Sequence, residues 1–184
     1  ALPIWVHLRC FRIRPRKQRM INVFVLQNGR LNQVAIASRA DLEKVTPVWV
    51  DLTDPTDEER AVVKAMYGVI LPGEDEVSDI EASARYYEAE NGDLHLRTDF
   101  LREEEDGPSR IVTVAFILAK KILFSVHNDD LPVFRLVRLR ARSRPGSIED
   151  YMDVLLDLYA TDAEYSADAL EGIYESLEEV SQRV

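Results

Sequence analysis

The sequence predicts an α/β (α+β) protein, with short strands and helices following one another along a chain of 184 residues. Two patterns carry this prediction. Short runs of β-branched and aromatic residues end at Gly, Pro, Asn or Asp, as strands do. Other segments repeat apolar residues at helical spacing and begin with capping residues. A hydrophobic fraction of 46% argues against disorder, so we expect a packed core.

The predicted strands fall into two groups along the chain. The first group covers residues 21–26, 31–36 and 48–52. Asn28-Gly29 separates its first two members, and this dipeptide is the preferred two-residue hairpin turn because both positions take positive φ. The second group covers residues 94–101, 111–118 and 122–126. We expect the last two to form a hairpin around Ala119-Lys120.

Four helical segments accompany these strands. Asp54-Pro55 begins one that runs to about Tyr67, because Asp54 can cap a helix and Pro55 suits its first position. Two others cover Glu74 to Arg85 and Leu131 to Arg142. From Tyr151 onward apolar residues repeat at helical spacing. After Leu170 they follow the 3-4 repeat of a coiled-coil seam.

The net charge of −10 is unevenly distributed. Residues 1–19 hold six basic and no acidic residues, whereas 148–184 hold eleven acidic residues and one basic residue. We interpret 1–19 as a non-native or upstream extension before Met20, 20–146 as an α/β domain, and 147–184 as an acidic helical hairpin or coiled-coil segment. The acidic segment repels nucleic acid and attracts cations, so nucleic acid is not an expected partner.

Catalytic and zinc-binding signatures are missing from the sequence. The three histidines share no ligand spacing, and a single cysteine forms no Cys pair, so a structural zinc site is not expected. Ser125 or Ser166 with His127 is the nearest approach to a nucleophile and base, and neither serine lies in a recognisable motif. We therefore do not expect this protein to be an enzyme. No run of about 20 apolar residues is long enough to cross a bilayer.

Carboxylates are the remaining candidates for a functional site. One cluster comprises Glu74, Asp75, Glu76, Asp79 and Glu81 at the start of a predicted helix. Such residues stabilise a helix dipole without any metal, and they also supply the oxygen ligands that Mg²⁺ prefers. Both interpretations stay open at this level. The acidic residues after 148 could simply form a solvated helix face. Alternatively, bound cations or a basic surface such as residues 135–144 could offset their mutual repulsion.

Several longer motifs, taken together, are more specific than any of these features. They are VFVLQNGRL, PVWVDLTDPTDEER, EDEVSDIEASARYYE, DLHLRTDFL, TVAFIL, LPVFRLVRLRARS and LLDLYATDAEYSADALEGIYESLEEVS. In this order they resemble the cytoplasmic N-terminal domain of the CorA family of divalent-cation transporters, and its bacterial CorA branch in particular. The resemblance covers nearly all of residues 20–184.

The resemblance implies a mixed β-sheet sandwiched between helices, an acidic antiparallel helix pair, and the start of a stalk that leads to a membrane pore. It also implies a homopentamer in the cell inner membrane, in which cytoplasmic Mg²⁺ (also Co²⁺ or Ni²⁺) holds the pore closed. The Gly-Met-Asn pore signature is absent from this chain. The implied metal ligands are Asp79 and Asp157, while Ser78 departs from an acidic position of some members.

Three functions follow as expectations. The first is a soluble regulatory domain that senses cytoplasmic Mg²⁺ and gates a transporter pore. The second is the same domain in a zinc transporter of the superfamily. The third is a free-standing interaction domain that dimerises through its C-terminal coil. By itself the chain is expected to be a monomer or a weak oligomer, because its acidic segments repel one another.

Overall fold

A computed structural model describes residues 20–36, 39–73, 85–104 and 107–183. The strands are β1 (Met20–Gln27), β2 (Arg30–Val34), β3 (Trp49–Thr53), β4 (Tyr86–Glu88), β5 (Leu94–Glu104), β6 (Gly107–Ala119) and β7 (Ile122–His127). The helices are α1 (Arg39–Leu42), α2 (Asp57–Tyr67), α3 (Pro132–Ser143) and α4 (Tyr151–Gln182). The predicted N-terminal extension, residues 1–19, lies outside the described residues. So do residues 74–84, which make up nearly all of the predicted second helix.

The seven strands form one mixed sheet in the order β2-β1-β3-β7-β6-β5-β4. Parallel pairing of β3 with β7 joins an antiparallel unit of three strands to an antiparallel unit of four. The first hairpin turns at Asn28 and Gly29, with φ of 54° and 69° as predicted. The last turns at Lys120 and Lys121, with φ of 52° and 62°, one residue later than predicted.

Helices cover both faces of the sheet, which confirms the predicted fold class. One face packs against α3 and α4 and buries Phe24, Trp49, Phe100, Phe116 and Phe134. The other face packs against α1 and α2, where the buried side chains are Val23, Leu42, Val50, Leu52, Val63, Phe124 and Val126. The sheet therefore separates two apolar clusters, each of which packs against one of its faces.

By residue type, the aromatic side chains of the predicted strands and of residues 86 and 87 are expected in the core, and most of them are buried there. Trp49, Phe100, Phe116 and Phe124 are at most 1% exposed. The prediction is wrong for Tyr86 and Tyr87, which are 57% and 47% exposed. They lie on β4, a three-residue strand at the edge of the sheet. The ring of Tyr87 stacks on His95 instead of entering the core.

Helix α2 begins later than predicted because a better cap lies two residues beyond Asp54. The hydroxyl of Thr56 accepts from the backbone N–H of Glu59, and the carboxylate of Glu59 accepts from the backbone N–H of Thr56. This reciprocal capping box satisfies two N–H groups that would otherwise have no partner. Asp54 adopts a left-handed conformation, with φ of 50°, and its N–H donates to the carbonyl of His127.

The predicted hairpin within residues 147–184 is wrong, because α4 is one continuous helix of 32 residues. A reversal of the chain needs a breaker, and α4 contains no proline and no residue with positive φ. Its one glycine, Gly172, continues the helix. The chain reverses earlier, between α3 and α4, and these two helices form the pair that packs on the sheet.

The turn between β6 and β7 yields a test of this backbone geometry. Two consecutive lysines adopt left-handed backbone there, which glycine adopts without steric cost. Lys121→Gly should therefore raise the free energy of unfolding by about 0.5 kcal/mol in urea denaturation. The matched control Lys64→Gly, inside α2, should lower it by about 1 kcal/mol. Destabilisation by both substitutions would contradict the left-handed backbone conformation of Lys121.

Candidate functional site

Asp157, one of the two predicted metal ligands, lies on α4 where this helix faces α3. Its Oδ1 accepts a hydrogen bond from the guanidinium of Arg140 at 3.0 Å. The same guanidinium donates to Thr161 Oγ1 at 3.3 Å and to Glu164 Oε2 at 3.4 Å. Positions 157, 161 and 164 are spaced i, i+4 and i+7, so one arginine of α3 covers two turns of one face of α4.

The second carboxylate oxygen of Asp157 is poorly satisfied. Oδ2 is buried and has no hydrogen-bond partner among the described residues. Leaving a buried acceptor unpaired is unfavourable by about 1–3 kcal/mol. Mg²⁺ takes oxygen ligands, and it often binds through one or two carboxylates while keeping several waters. The chemistry of Asp157 therefore fits one ligand of such an ion.

Asp157 does not form a complete metal site with its neighbours. Within the part of the chain that the structure describes, no group of three or more His, Cys, Asp or Glu residues could hold a metal ion. Asp79, the other predicted ligand, lies outside the described residues. A shared Asp79 and Asp157 site therefore stays a prediction.

Beyond Asp157 and Glu164 the acidic face of α4 continues along the helix. Its further members at spacings of three and four residues are Asp168, Glu171, Glu175 and Glu178. Like charges at these spacings repel one another in a helix. Apart from Arg183 at the end of the helix itself, Arg140 is the one cation among the described residues that forms an ion pair with an acid of α4. Arg140 therefore supplies the basic contact that the sequence left open for residues 135–144.

A third acid of α4, which the sequence did not single out, lies against the end of β5. Desolvation raises the pKa of Asp162 above its ordinary value, and a hydrogen bond with the backbone of Leu101 partly offsets this rise. Its Oδ1 is buried without a hydrogen-bond partner among the described residues. Only the packing of α4 against the sheet brings Asp162 to the backbone of Leu101, so no local sequence pattern could single it out.

A second group of polar residues lies between the sheet and α3. Asp51 on β3 is 0% exposed, and its Oδ1 accepts from Ser125 Oγ at 2.7 Å and from His127 Nε2 at 2.9 Å. Its Oδ2 lies 3.6 Å from the guanidinium of Arg138 on α3. Ser125 Oγ in turn accepts from Trp49 Nε1 at 2.9 Å. These groups are the Asp51 cluster.

The charges of the Asp51 cluster follow from its contacts. Burial alone would raise the pKa of Asp51, but the charge and hydrogen bond of His127, together with Arg138 and Ser125, hold the pKa below its ordinary value. The Nδ1 of His127 lies 2.6 Å from the carbonyl oxygen of Asp129. Both ring nitrogens of His127 thus face oxygen acceptors, one on Asp51 and one on the backbone of Asp129.

The Asp51 cluster contains a serine, a histidine and an aspartate but lacks the arrangement of a nucleophile and its base. Activation of a serine requires a hydrogen bond from its hydroxyl to the base. Ser125 donates to Asp51 instead, and Asp51 lies between the serine and the histidine. All three side chains are at most 1% exposed. The geometry fits an ionic anchor between β3, β7 and α3.

No helix among the described residues is both long enough and apolar enough to cross a membrane. The longest, α4, carries acidic residues along most of its length.

Comparison with known proteins identifies relatives by sequence. The model of the CorA-like Mg²⁺ transporter protein family matches residues 45–184. A magnesium transport protein CorA of Haemophilus influenzae is 41% identical over 163 residues, which cover 89% of this chain and 50% of that protein. The protein of the same name from Escherichia coli K12 is 39% identical and is covered to 51%. The chain spans about half the length of the curated relatives it matches.

Solved structures share the fold at low sequence identity. Full-length CmaX superposes with a TM-score of 0.71 at 13% identity, covering 94% of this chain and 53% of that one. The soluble domain of CorA from Methanocaldococcus jannaschii gives 0.64 at 15%, covering 91% and 64%. The ZntB cytoplasmic domain from Vibrio parahaemolyticus gives 0.65 at 11%, covering 88% and 64%. At such identities these likenesses establish the fold alone.

The Asp51 cluster predicts a specific response to acid. Because the folded pKa of Asp51 is depressed, its contribution to stability is present above the unfolded value of about 3.8 and is lost as the pH falls through the folded value. Asp51→Asn should lower the free energy of unfolding at pH 7 by about 3 kcal/mol, since it leaves His127 and Arg138 without their anion. It should also flatten the loss of stability below pH 4.

Urea unfolding at pH 7, 5 and 3.5 checks this expectation. The exposed Asp168→Asn is the matched control and should behave as the unsubstituted chain. Equal effects of the two substitutions at pH 7 would show that Asp51 is not an anchor.

Proposed function

The chain belongs to the CorA family of Mg²⁺ transporter proteins, and from this premise we propose that it is the cytoplasmic regulatory domain of a divalent-cation transporter. In this proposal the domain binds cytoplasmic Mg²⁺ and thereby biases a membrane pore toward its closed state. The role is one of binding and gating, without enzymatic chemistry. The match of the family model to residues 45–184 is the observation that carries the proposal.

The described structure supports the proposal through the chemistry of one carboxylate. Asp157 offers a buried oxygen without a hydrogen-bond partner among the described residues, on the acidic face of α4. A hard cation with retained waters would satisfy such an oxygen. We propose that Asp157 and Asp79 contribute to a regulatory site in the assembled transporter, with further ligands from outside the described residues.

Assembly and location are part of the same proposal. We propose that the full-length protein is a homopentamer in the cell inner membrane, with this domain on the cytoplasmic side. If the site is shared between neighbouring subunits, binding of Mg²⁺ would depend on the distance between those subunits. Since a ligand shifts an equilibrium only by its differential affinity for the two states, the ion must bind the closed arrangement more tightly.

Magnesium is the favoured cation, because the curated relatives at 39–41% identity are named magnesium transport proteins. Co²⁺ and Ni²⁺ are further candidates, since carboxylate and water ligands accept both ions. The zinc alternative draws on the likeness to the ZntB domain, which at 11% identity extends to the fold alone. The sequence relatives therefore favour magnesium over zinc.

A specific observation also favours a second candidate, an interaction domain that associates through its last helix. Leu170, Ile173, Leu177 and Val180 form an apolar stripe on α4, and each is 55–60% exposed. Their 3-4-3 spacing is that of a helix-packing seam. Sedimentation of the chain at low and high salt tests this candidate. A dimer held by the seam would persist at high salt, and Leu177→Glu would dissociate it.

Binding of Mg²⁺ to the folded chain should raise its thermal stability. A ligand that binds only the native state stabilises it by mass action, whereas Na⁺ only screens the acidic face of α4. We expect a larger increase in Tm with MgCl₂ than with NaCl at equal ionic strength. Asp157→Asn should reduce the difference, and the exposed Glu90→Gln, outside α4, should not. Identical shifts from both salts would reduce the effect to screening.

In the full-length transporter, Asp79→Ala should weaken inhibition by internal Mg²⁺. Removing a ligand lowers the differential affinity of the closed state for the ion, so higher Mg²⁺ should be needed for closure. The measurement is Mg²⁺ influx as internal Mg²⁺ is raised, with Ser78→Ala as the neighbouring control. Superimposed inhibition curves for the two variants would show that Asp79 is not a ligand of the regulatory site.

A further inference from the structure

Arg140 is the cation that contacts Asp157 in this structure. Its guanidinium approaches Asp157 Oδ1 to 3.0 Å and Glu164 Oε2 to 3.4 Å. The side chains of Arg140 and Asp157 are 32% and 20% exposed, so solvent screens this pair less than the exposed pairs of the surface. A divalent cation on the same carboxylate would lie close to the guanidinium of Arg140, whose positive charge would repel it.

The contact is also poorly matched to Asp157. One guanidinium is divided among Asp157, Thr161 and Glu164, and the hydrogen bonds to the last two are the longer ones. Oδ2 of Asp157 receives no donor from Arg140 or from any other described residue. A guanidinium bound in this way leaves half of the carboxylate unsatisfied, whereas a hydrated divalent ion can serve both oxygens directly or through water.

Release of Asp157 would affect more than one bond. The three acceptors of Arg140 lie on two successive turns of α4. Among the described residues, Arg140 is also the one cation of another helix that pairs with the acids of α4. If the guanidinium leaves Asp157, the contacts that it shares with Thr161 and Glu164 weaken together. Binding of a metal ion at Asp157 in place of the guanidinium would thus weaken the ionic contact between α3 and α4.

We propose that Arg140 is a built-in competitor of the divalent cation at Asp157, so that Mg²⁺ binds there by displacing Arg140 and loosens the contact of α3 with α4. The inference rests on the proposed Mg²⁺ sensing and adds its regulation. Arg140 lowers the affinity of Asp157 for the ion, and by linkage the ion weakens the Arg140 contact by the same factor.

The test is a calorimetric titration of the whole chain with MgCl₂ at constant ionic strength. Arg140→Gln removes the competitor and should lower the dissociation constant by about fivefold or more. Arg140→Lys keeps the charge but loses the planar fork and should give an intermediate value. Arg135→Gln makes the same charge change on the same helix, at a residue that pairs with Asp130, and should leave the dissociation constant nearly unchanged.

Hydrogen exchange supplies a second readout on the same proteins. Adding Mg²⁺ to the unsubstituted chain should speed exchange at the α4 amides around Asp157 and Glu164, and Arg140→Gln should show this faster exchange without Mg²⁺. In the double variant Arg140→Gln with Asp157→Asn, the gain in Mg²⁺ affinity should disappear.

The outcomes separate this inference from the proposed function. Equal Mg²⁺ affinity of the unsubstituted chain and Arg140→Gln would overturn the competition and leave Mg²⁺ sensing intact. Weaker binding by Arg140→Gln would also overturn it, since Arg140 would then position the carboxylate for the ion. Failure of every variant to bind Mg²⁺ would instead count against sensing by this domain, and the competition would fall with it.

Discussion

The parallel pairing of β3 with β7 is the contact on which the rest of the structure depends. It is the one junction between the three-stranded and four-stranded antiparallel units of the described sheet. The register places Asp51 opposite Ser125 and Thr53 opposite His127. The first of these pairs joins residues 74 positions apart in the chain. Without this pairing, neither apolar cluster would be closed and the buried aspartate would have no partners from β7.

From this junction a chain of ionic contacts reaches the acidic helix. Arg138 of α3 lies against Asp51 in the sheet, and Arg140, two residues later, lies against Asp157 of α4. The two arginines occupy different sides of α3 because successive helical residues are about 100° apart. One short helix therefore contacts a buried anion on one side and the candidate metal ligand on the other. If Mg²⁺ displaces Arg140 as proposed, this arrangement would carry the effect of the ion from α4 through α3 to the sheet.

The departures from the predicted elements share a physical cause, which is that local preference leaves a choice that packing or capping then makes. Asp54 and Thr56 are both good caps, and the helix begins after Thr56 because Glu59 completes a reciprocal capping box. Tyr86 and Tyr87 look like core residues by composition, yet β4 is an edge strand and leaves both side chains exposed. The break expected within residues 147–184 agreed with the helix pair that the resemblance implies, but α4 contains no proline and no left-handed residue that would end the helix there.

The sequence by itself determined the class of the fold, most of the strands, the Asn28-Gly29 turn and the family, because these depend on short-range periodicity and on motifs in a fixed order. It also singled out Asp157, but only through the resemblance. Tertiary structure alone decided that Arg140 pairs with Asp157, that the second oxygen of this carboxylate is buried without a partner among the described residues, and that Asp51 lies beside Ser125, His127 and Arg138. These contacts join residues from distant parts of the chain. Periodicity reports which face a side chain occupies, whereas its partner across that face is fixed only when strands and helices pack.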